Sequence, residues 1–64
     1  MTNKEIEELL KAEHIYKWVV AKKLNIHETT FIRWFRDEMS DERKLLVLSA
    51  VEEIKLDRLK VQRQ

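Results

Sequence analysis

The sequence contains no glycine, no proline and no cysteine in its 64 residues. Without glycine, a glycine-rich phosphate loop and a dinucleotide-binding fingerprint are excluded, and tight type I′ or II′ hairpin turns are difficult to build. Without cysteine, a disulfide framework, a thiolate zinc site and a thiol nucleophile are excluded. The lack of cysteine fits a reducing cytoplasm, where we expect the protein to act. No apolar run exceeds four residues, so the sequence predicts neither a membrane-spanning segment nor a membrane partner.

The length of 64 residues predicts one small domain, and a hydrophobic content of 44 % is enough for a core. A domain of this size buries only about 60 % of the surface that its unfolded chain exposes. We therefore expect it to be marginally stable alone. A partner that covers further apolar surface would stabilise it.

The net charge of +1 is unevenly distributed along the chain. Residues 1–14 carry two basic and four acidic side chains, and residues 37–64 carry six basic and seven acidic ones. Residues 15–36 carry five basic side chains and one acidic side chain, a charge of +4. This concentration of positive charge in the middle third indicates a polyanionic partner.

Helix signals account for the whole chain, which predicts an all-α, four-helix domain with a long C-terminal helix and no wing. Thr2 and Glu5 have the spacing of a capping box, and Ser40 is a good N-cap for the last helix. Asn25 is the best non-glycine residue for the left-handed conformation that ends a helix. Residues 14–16 form a weaker interruption, because none of them breaks a helix outright. The predicted helices cover about residues 3–13, 17–24, 28–36 and 41–61.

The fourth predicted helix has two apolar faces. One side of the helical wheel carries Val47, Ala50, Val51, Ile54 and Val61. The other side carries Leu45, Leu48, Leu56 and Leu59, with Glu52 among them. The first face can pack on the other three helices. Either the second face also curls into the core, or it meets another protein, for which a second copy in a helix–helix dimer is the simplest candidate.

Residues 17–36 read KWVVAKKLNIHETTFIRWFR and contain the spacing of two crossed helices. Helices that cross at about 90–120° need a small residue at the contact, which Ala21 supplies, and a left-handed turn, which Asn25 can form. The apolar residues that would fill the wedge are Val20, Leu24, Ile26, Phe31 and Trp34. The segment resembles the twenty-residue helix-turn-helix of phage-repressor-type DNA-binding proteins, with asparagine in place of the usual glycine at the turn.

The whole chain also resembles small proteins carried by phages and mobile elements of low-GC Gram-positive bacteria. The shared features are a Trp-x-Val-Ala segment at residues 18–21, a short recognition helix rich in threonine and arginine, and an acidic helix start afterwards. This resemblance implies a small regulator encoded by such an element.

The helix-turn-helix resemblance implies two sets of DNA contacts. The start and outer face of the second helix of the motif would reach base edges with His27, Glu28, Thr29, Ile32 and Arg33. Phosphate contacts would come from Lys17, Lys22, Lys23, Thr30 and Arg36. Arg33 is the first choice for a bidentate contact to guanine O6 and N7, and Ile32 for packing on a thymine methyl group.

Several residues also allow simpler interpretations. The basic side chains can form a solvated helix face. Tyr16 and Trp18 either cover the rim of the core, or reach a phosphate or stack on an unpaired base. His14 and His27 are 13 residues apart and have no accompanying ligand set, so we expect neither a metal nor a cofactor. Neither serine has a base at a recognisable spacing, so no catalytic site is predicted.

The leading hypothesis is DNA binding without enzymatic activity. A homodimer joined through the fourth helix would place two recognition helices about one DNA turn apart. A second hypothesis is an accessory subunit whose C-terminal helix binds a larger enzyme of the same element, such as a replication polymerase, primase or recombinase. A third is a phage-type inhibitor of a host protein, which only the small size and the resemblance support.

Overall fold

The computed structural model describes residues 1–62, which form four α-helices and no strand. The helices are α1 (Asn3–Ala12), α2 (Lys17–Leu24), α3 (Glu28–Trp34) and α4 (Asp41–Gln62). The predicted all-α, four-helix domain with a long C-terminal helix is confirmed, and this part of the chain has no wing. α2 has the predicted bounds, whereas α1 ends one residue and α3 two residues earlier than predicted. None of these helices combines the length and apolar character needed to cross a bilayer.

The start of α1 is held by the predicted capping box. The Thr2 hydroxyl oxygen accepts a hydrogen bond from the Glu5 backbone N–H at 3.2 Å. In return, the Glu5 carboxylate accepts from the Thr2 backbone N–H at 2.8 Å. The bond from the Thr2 backbone N–H favours the charged carboxylate, so the pKa of Glu5 lies below its usual value. The first helix therefore begins where its own residues satisfy its unpaired backbone donors.

Two helices end in the left-handed conformation without glycine. His14 (φ 56°) follows α1, and Asn25 (φ 62°) follows α2. The Ile15 backbone N–H donates to the Leu10 carbonyl at 2.8 Å. In the same way, the Ile26 backbone N–H donates to the Ala21 carbonyl at 3.0 Å. These are the hydrogen bonds of a Schellman motif, which satisfies helix-end carbonyls. Asn25 was predicted to form such an end, and His14 was not.

Replacing His14 with glycine is expected to raise the free energy of unfolding by about 0.5–1 kcal/mol. Histidine incurs a steric cost at positive φ, whereas glycine does not, although glycine loses more conformational entropy on folding. Urea denaturation followed by circular dichroism measures the change. Asn25→Gly is the control and should change the stability less, because asparagine tolerates this conformation. A destabilised His14→Gly variant would contradict this account of the α1 end.

The core lies between α4 and the three shorter helices. Its fully buried side chains are Phe31, Ile6, Val20, Val47 and Val51. The predicted inner face of α4 is confirmed, because Val47, Ala50, Val51 and Ile54 are each at most 6 % exposed. Val61, predicted on the same face, lies outside the residues whose side chains the structure describes. Ile15 and Met39 are buried as well, although the sequence places them in connections.

The connection between α3 and α4 is tied to the start of α1 by Asn3. The Asn3 side-chain amide donates to the Asp37 carbonyl at 2.6 Å, and its oxygen accepts from the Met39 backbone N–H at 2.9 Å. The Ser40 hydroxyl oxygen then accepts from the Arg43 backbone N–H at 3.2 Å, which confirms Ser40 as the N-cap of α4. Residues far apart in sequence thus set the position at which the long helix begins.

Candidate nucleic-acid interface

The helix pair α2–α3 has the construction that the sequence predicts. Asn25, Ile26 and His27 join the two helices, and Ala21 is 1 % exposed. Of the wedge residues, Val20 and Phe31 are fully buried. Leu24, Ile26 and Trp34 are partly buried and pack against the core. The apolar side of the helix-turn-helix is therefore turned inward, and its polar side is left on the surface.

An aromatic cluster anchors α3 on the core. The Phe31 ring meets the Phe35 ring edge to face at a centroid distance of 5.1 Å. The Trp34 ring lies 5.8 Å from Phe31, and the Arg43 guanidinium from α4 stacks 4.9 Å from the Trp34 ring centroid. These contacts fix the rotation of α3 about its own axis, and so they determine which of its residues face outward.

The outward face of α3 carries two of the five predicted base-contact residues. Successive helical residues are separated by about 100°, so Thr29 and Arg33 point about 160° away from the buried Phe31. Both side chains are exposed. His27, Glu28 and Ile32 are exposed beside them, and Ile32 is 48 % exposed. At the same spacing Glu28 lies about 60° and Ile32 about 100° from Phe31, so the structure places Thr29 and Arg33 on the outward face and Glu28 and Ile32 on one flank of the helix.

The predicted phosphate-contact residues divide into two groups. The Lys17 ammonium lies 3.0 Å from the Glu7 carboxylate and 4.7 Å from the Phe35 ring centroid. The Lys23 ammonium lies 2.7 Å from the Asp57 carboxylate. Their hydrogen bond lowers the pKa of Asp57 and raises the pKa of Lys23. These two lysines are engaged within the protein, and their phosphate contacts stay predictions.

The remaining phosphate candidates and Arg33 lie on the surface. Lys22, Thr30, Arg33 and Arg36 are exposed. Among the residues that the structure describes, no carboxylate forms a salt bridge with Lys22, Arg33 or Arg36. These cations therefore need not break an internal ion pair before they meet an external anion.

A shallow concavity of about 380 Å³ lies beside the start of α3. Its lining residues are Trp18, Ala21, Lys22, Asn25, Ile26, His27 and Glu28. The Trp18 side chain is 52 % exposed there, and Tyr16 is 69 % exposed nearby in sequence. Trp18 thus adjoins the residues predicted to contact bases, a proximity that the sequence did not indicate. Both of its predicted roles, core rim and nucleic-acid contact, stay predictions.

A larger groove of about 890 Å³ separates α2 from α4. Its lining residues are Val19, Lys22, Lys23, Glu53, Ile54, Asp57 and Arg58. Lys23 pairs with Asp57 across it, and the Arg58 guanidinium donates to the Glu13 and His14 carbonyls at 2.8 and 2.9 Å. No sequence pattern could have found this groove, because its walls lie more than thirty positions apart. The Lys23–Asp57 ion pair joins α2 to α4, and the Arg58 hydrogen bonds join the segment that follows α1 to α4.

The comparisons with known proteins add no family to this geometry. The chain matches no protein-family model, no curated protein and no solved structure. Within residues 1–62, no three histidine, aspartate or glutamate side chains gather in a group that could hold a metal ion. The case for a function therefore depends on the outward face of α3 and the charges around it.

Proposed function

We propose that this chain is a non-enzymatic DNA-binding protein that inserts α3 into the major groove, as a small regulator from a phage or mobile genetic element. The observation that carries the proposal is the outward face of α3. Thr29 and Arg33 lie one turn apart on this face, opposite the buried Phe31 and next to the left-handed turn at Asn25. A major groove admits one α-helix, and a helix-turn-helix presents its second helix in this way.

Each exposed residue has a chemical role in this proposal. The planar guanidinium of Arg33 matches guanine O6 and N7, and the Ile32 side chain matches a thymine methyl group. Thr29 bonds a base or a phosphate, and Glu28 accepts from a cytosine amine. His27 precedes α3, and its side chain makes no capping hydrogen bond, so the imidazole is available to DNA.

Phosphate contacts position the protein without reading sequence. Lys22 lies at the end of α2 and Arg36 lies just beyond α3, so they flank the recognition surface on both sides of the turn. Neither forms a salt bridge within residues 1–62. Thr30, on α3, adds a neutral hydroxyl donor. Lys17 and Lys23 would add two contacts only at the expense of their bonds to Glu7 and Asp57.

The salt dependence of binding tests this proposal. Lys22 and Arg36, two phosphate-neutralising cations per chain, predict a slope of log K against log salt of about −1.8, which lowers affinity about 12-fold between about 50 and 200 mM salt. Release of Lys17 and Lys23 to phosphates would steepen the slope to about −3.6. Fluorescence anisotropy titrations should compare random duplex, single-stranded DNA and duplex DNA that flanks the gene itself.

Lys22→Ala is the matched variant for this titration. It should weaken binding to every duplex alike and reduce the slope by about 1. Duplex DNA should be bound more tightly than single strands, because α3 needs a groove. Absence of duplex binding at about 50 mM salt would overturn the proposal.

A second candidate function is supported by the surface of α4. Leu45, Leu56 and Leu59 are 66 %, 56 % and 55 % exposed, which is unusual for a single helix of a small domain. An accessory subunit would use these residues to bind a polymerase, primase or recombinase of the same element, and an inhibitor would use them on a host protein. A chain that stays monomeric, is poorly soluble alone and does not bind DNA would favour this second function.

A further inference from the structure

The side of α4 opposite the core carries a straight row of four leucines centred on Glu52, here called the outer stripe. Its members are Leu45, Leu48, Glu52, Leu56 and Leu59. At about 100° per residue, the centre of the stripe lies about 145° from the buried side of the helix. The pair Leu45 and Leu48 recurs eleven residues later as Leu56 and Leu59, and an eleven-residue repeat keeps a stripe nearly parallel to the helix axis. The stripe is therefore a continuous surface roughly 21 Å long.

The spacing of the stripe is the same in both directions. Its steps are three, four, four and three residues, with Glu52 at the centre. An antiparallel copy of the same helix, related by a two-fold axis at Glu52, sets Leu45 against Leu59 and Leu48 against Leu56. Such self-matching is what an isologous two-fold interface requires. We propose that the outer stripe binds a second copy of this chain, with the two α4 helices antiparallel.

Charges beside the stripe fit the same arrangement. Glu42 and Lys60 are eighteen residues apart, which is five helical turns, so they lie on the same edge of the stripe. Both are exposed, and neither forms a salt bridge within residues 1–62. In an antiparallel pair the same edges of the two helices meet, so Glu42 of each copy lies beside Lys60 of the other. The symmetry creates two such ion pairs, one at each end.

The centre of the stripe is polar and sets the register. Two Glu52 side chains meet at the axis, and Lys55 lies 3.9 Å from Glu52 on the same helix, where its charge offsets the repulsion. A polar residue within an apolar seam weakens the association but disfavours shifted alignments. Glu52→Leu should therefore lower the dissociation constant of the dimer at least about tenfold.

Sedimentation equilibrium without DNA tests the dimer. The average mass should rise from the 7.8 kDa of one chain towards twice that value between about 1 µM and 1 mM protein. Leu56→Glu should raise the dissociation constant more than about 100-fold, because it places a charge in the apolar seam. Leu46→Glu is the matched control, since Leu46 is 47 % exposed but lies off the stripe. Circular dichroism should show unchanged helicity in both variants.

Cysteine cross-linking tests the antiparallel direction, and the absence of native cysteine makes each introduced thiol unique. Glu52→Cys should oxidise to a covalent dimer, because this position meets itself at the axis. Leu45→Cys alone should not, whereas a mixture of Leu45→Cys and Leu59→Cys chains should cross-link to each other. Self-cross-linking of Leu45→Cys would indicate parallel helices and overturn the proposal.

A single-chain mass at all concentrations, or equal effects of Leu56→Glu and Leu46→Glu, would also overturn the proposal. The inference does not rest on DNA binding, so the two proposals fail separately. If the protein forms a dimer but binds no DNA, the outer stripe interface is supported and the proposed regulator function is wrong. If the protein stays monomeric and binds DNA, the DNA-binding proposal is supported and the dimer proposal is wrong.

Discussion

Replacing Phe31 with alanine is expected to lower the thermal unfolding midpoint by about 12–40 °C. Phe31 is fully buried and contacts the rings of Trp34 and Phe35, so truncation removes a large apolar side chain and leaves a cavity. Such a substitution costs about 3–5 kcal/mol. A 64-residue domain has only about 3–10 kcal/mol of stability in total. A substantial share of the chains should therefore be unfolded at room temperature.

Ile32→Ala is the control for Phe31→Ala, because the residue is next in sequence and is 48 % exposed. It should shift the midpoint by only a few degrees. Thermal melts followed by circular dichroism measure both variants, at one fixed protein concentration because association stabilises the folded state. Equal shifts in the two variants would mean that α3 is not held on the core through Phe31. The outward direction of Arg33 would then lose its structural basis.

The parts of the fold that the sequence predicts are those with causes a few residues apart. Thr2 and Glu5 cap each other across one helical turn, and Ser40 caps the backbone three residues later. Asn25 adopts the left-handed conformation, which its own residue type favours. Helical periodicity is a local cause as well. With about 3.6 residues per turn, Val47 and Leu45 lie on opposite sides of α4, and Val47 is buried whereas Leu45 is exposed.

The parts that the sequence could not predict depend on distant partners. The Asn3 side chain binds the backbone of Asp37 and Met39, more than thirty residues away. His14 is a less usual residue than glycine at positive φ, and the end of α1 is held by Arg58 from α4. No local pattern encodes such contacts. They arise only when the helices have packed.

The same distinction applies to the candidate site. The exposure of Thr29 and Arg33 follows from the period of α3 once Phe31 is buried. The ion pairs of Lys17 and Lys23 do not follow from any period, because Glu7 lies on α1 and Asp57 on α4. Sequence alone therefore treats all five phosphate candidates as equal, whereas the structure separates the engaged lysines from the cations without an internal partner.

Arg33→Ala is expected to weaken binding to the preferred duplex about 10- to 100-fold. The variant should also narrow the difference in affinity between the preferred and the random duplex, because in the proposed complex the guanidinium donates two hydrogen bonds to one guanine. Arg33→Lys should not restore the preference, since an ammonium cannot make the planar bidentate contact. The measurement is the ratio of the dissociation constants for the two duplexes at one salt concentration.

Lys11→Ala controls for the loss of one positive charge, because Lys11 is exposed in the last turn of α1 and belongs to no predicted contact. Lys11→Ala should lower affinity slightly and equally for both duplexes, because it only weakens the long-range electrostatic attraction between the protein and DNA. Lys22→Ala should lower affinity further but leave the ratio unchanged. If Arg33→Ala behaved like Lys11→Ala on every duplex, α3 would lie outside the groove. The positive charge of residues 15–36 would then serve only non-specific attraction, and the outer stripe of α4 would be the surface through which the protein acts.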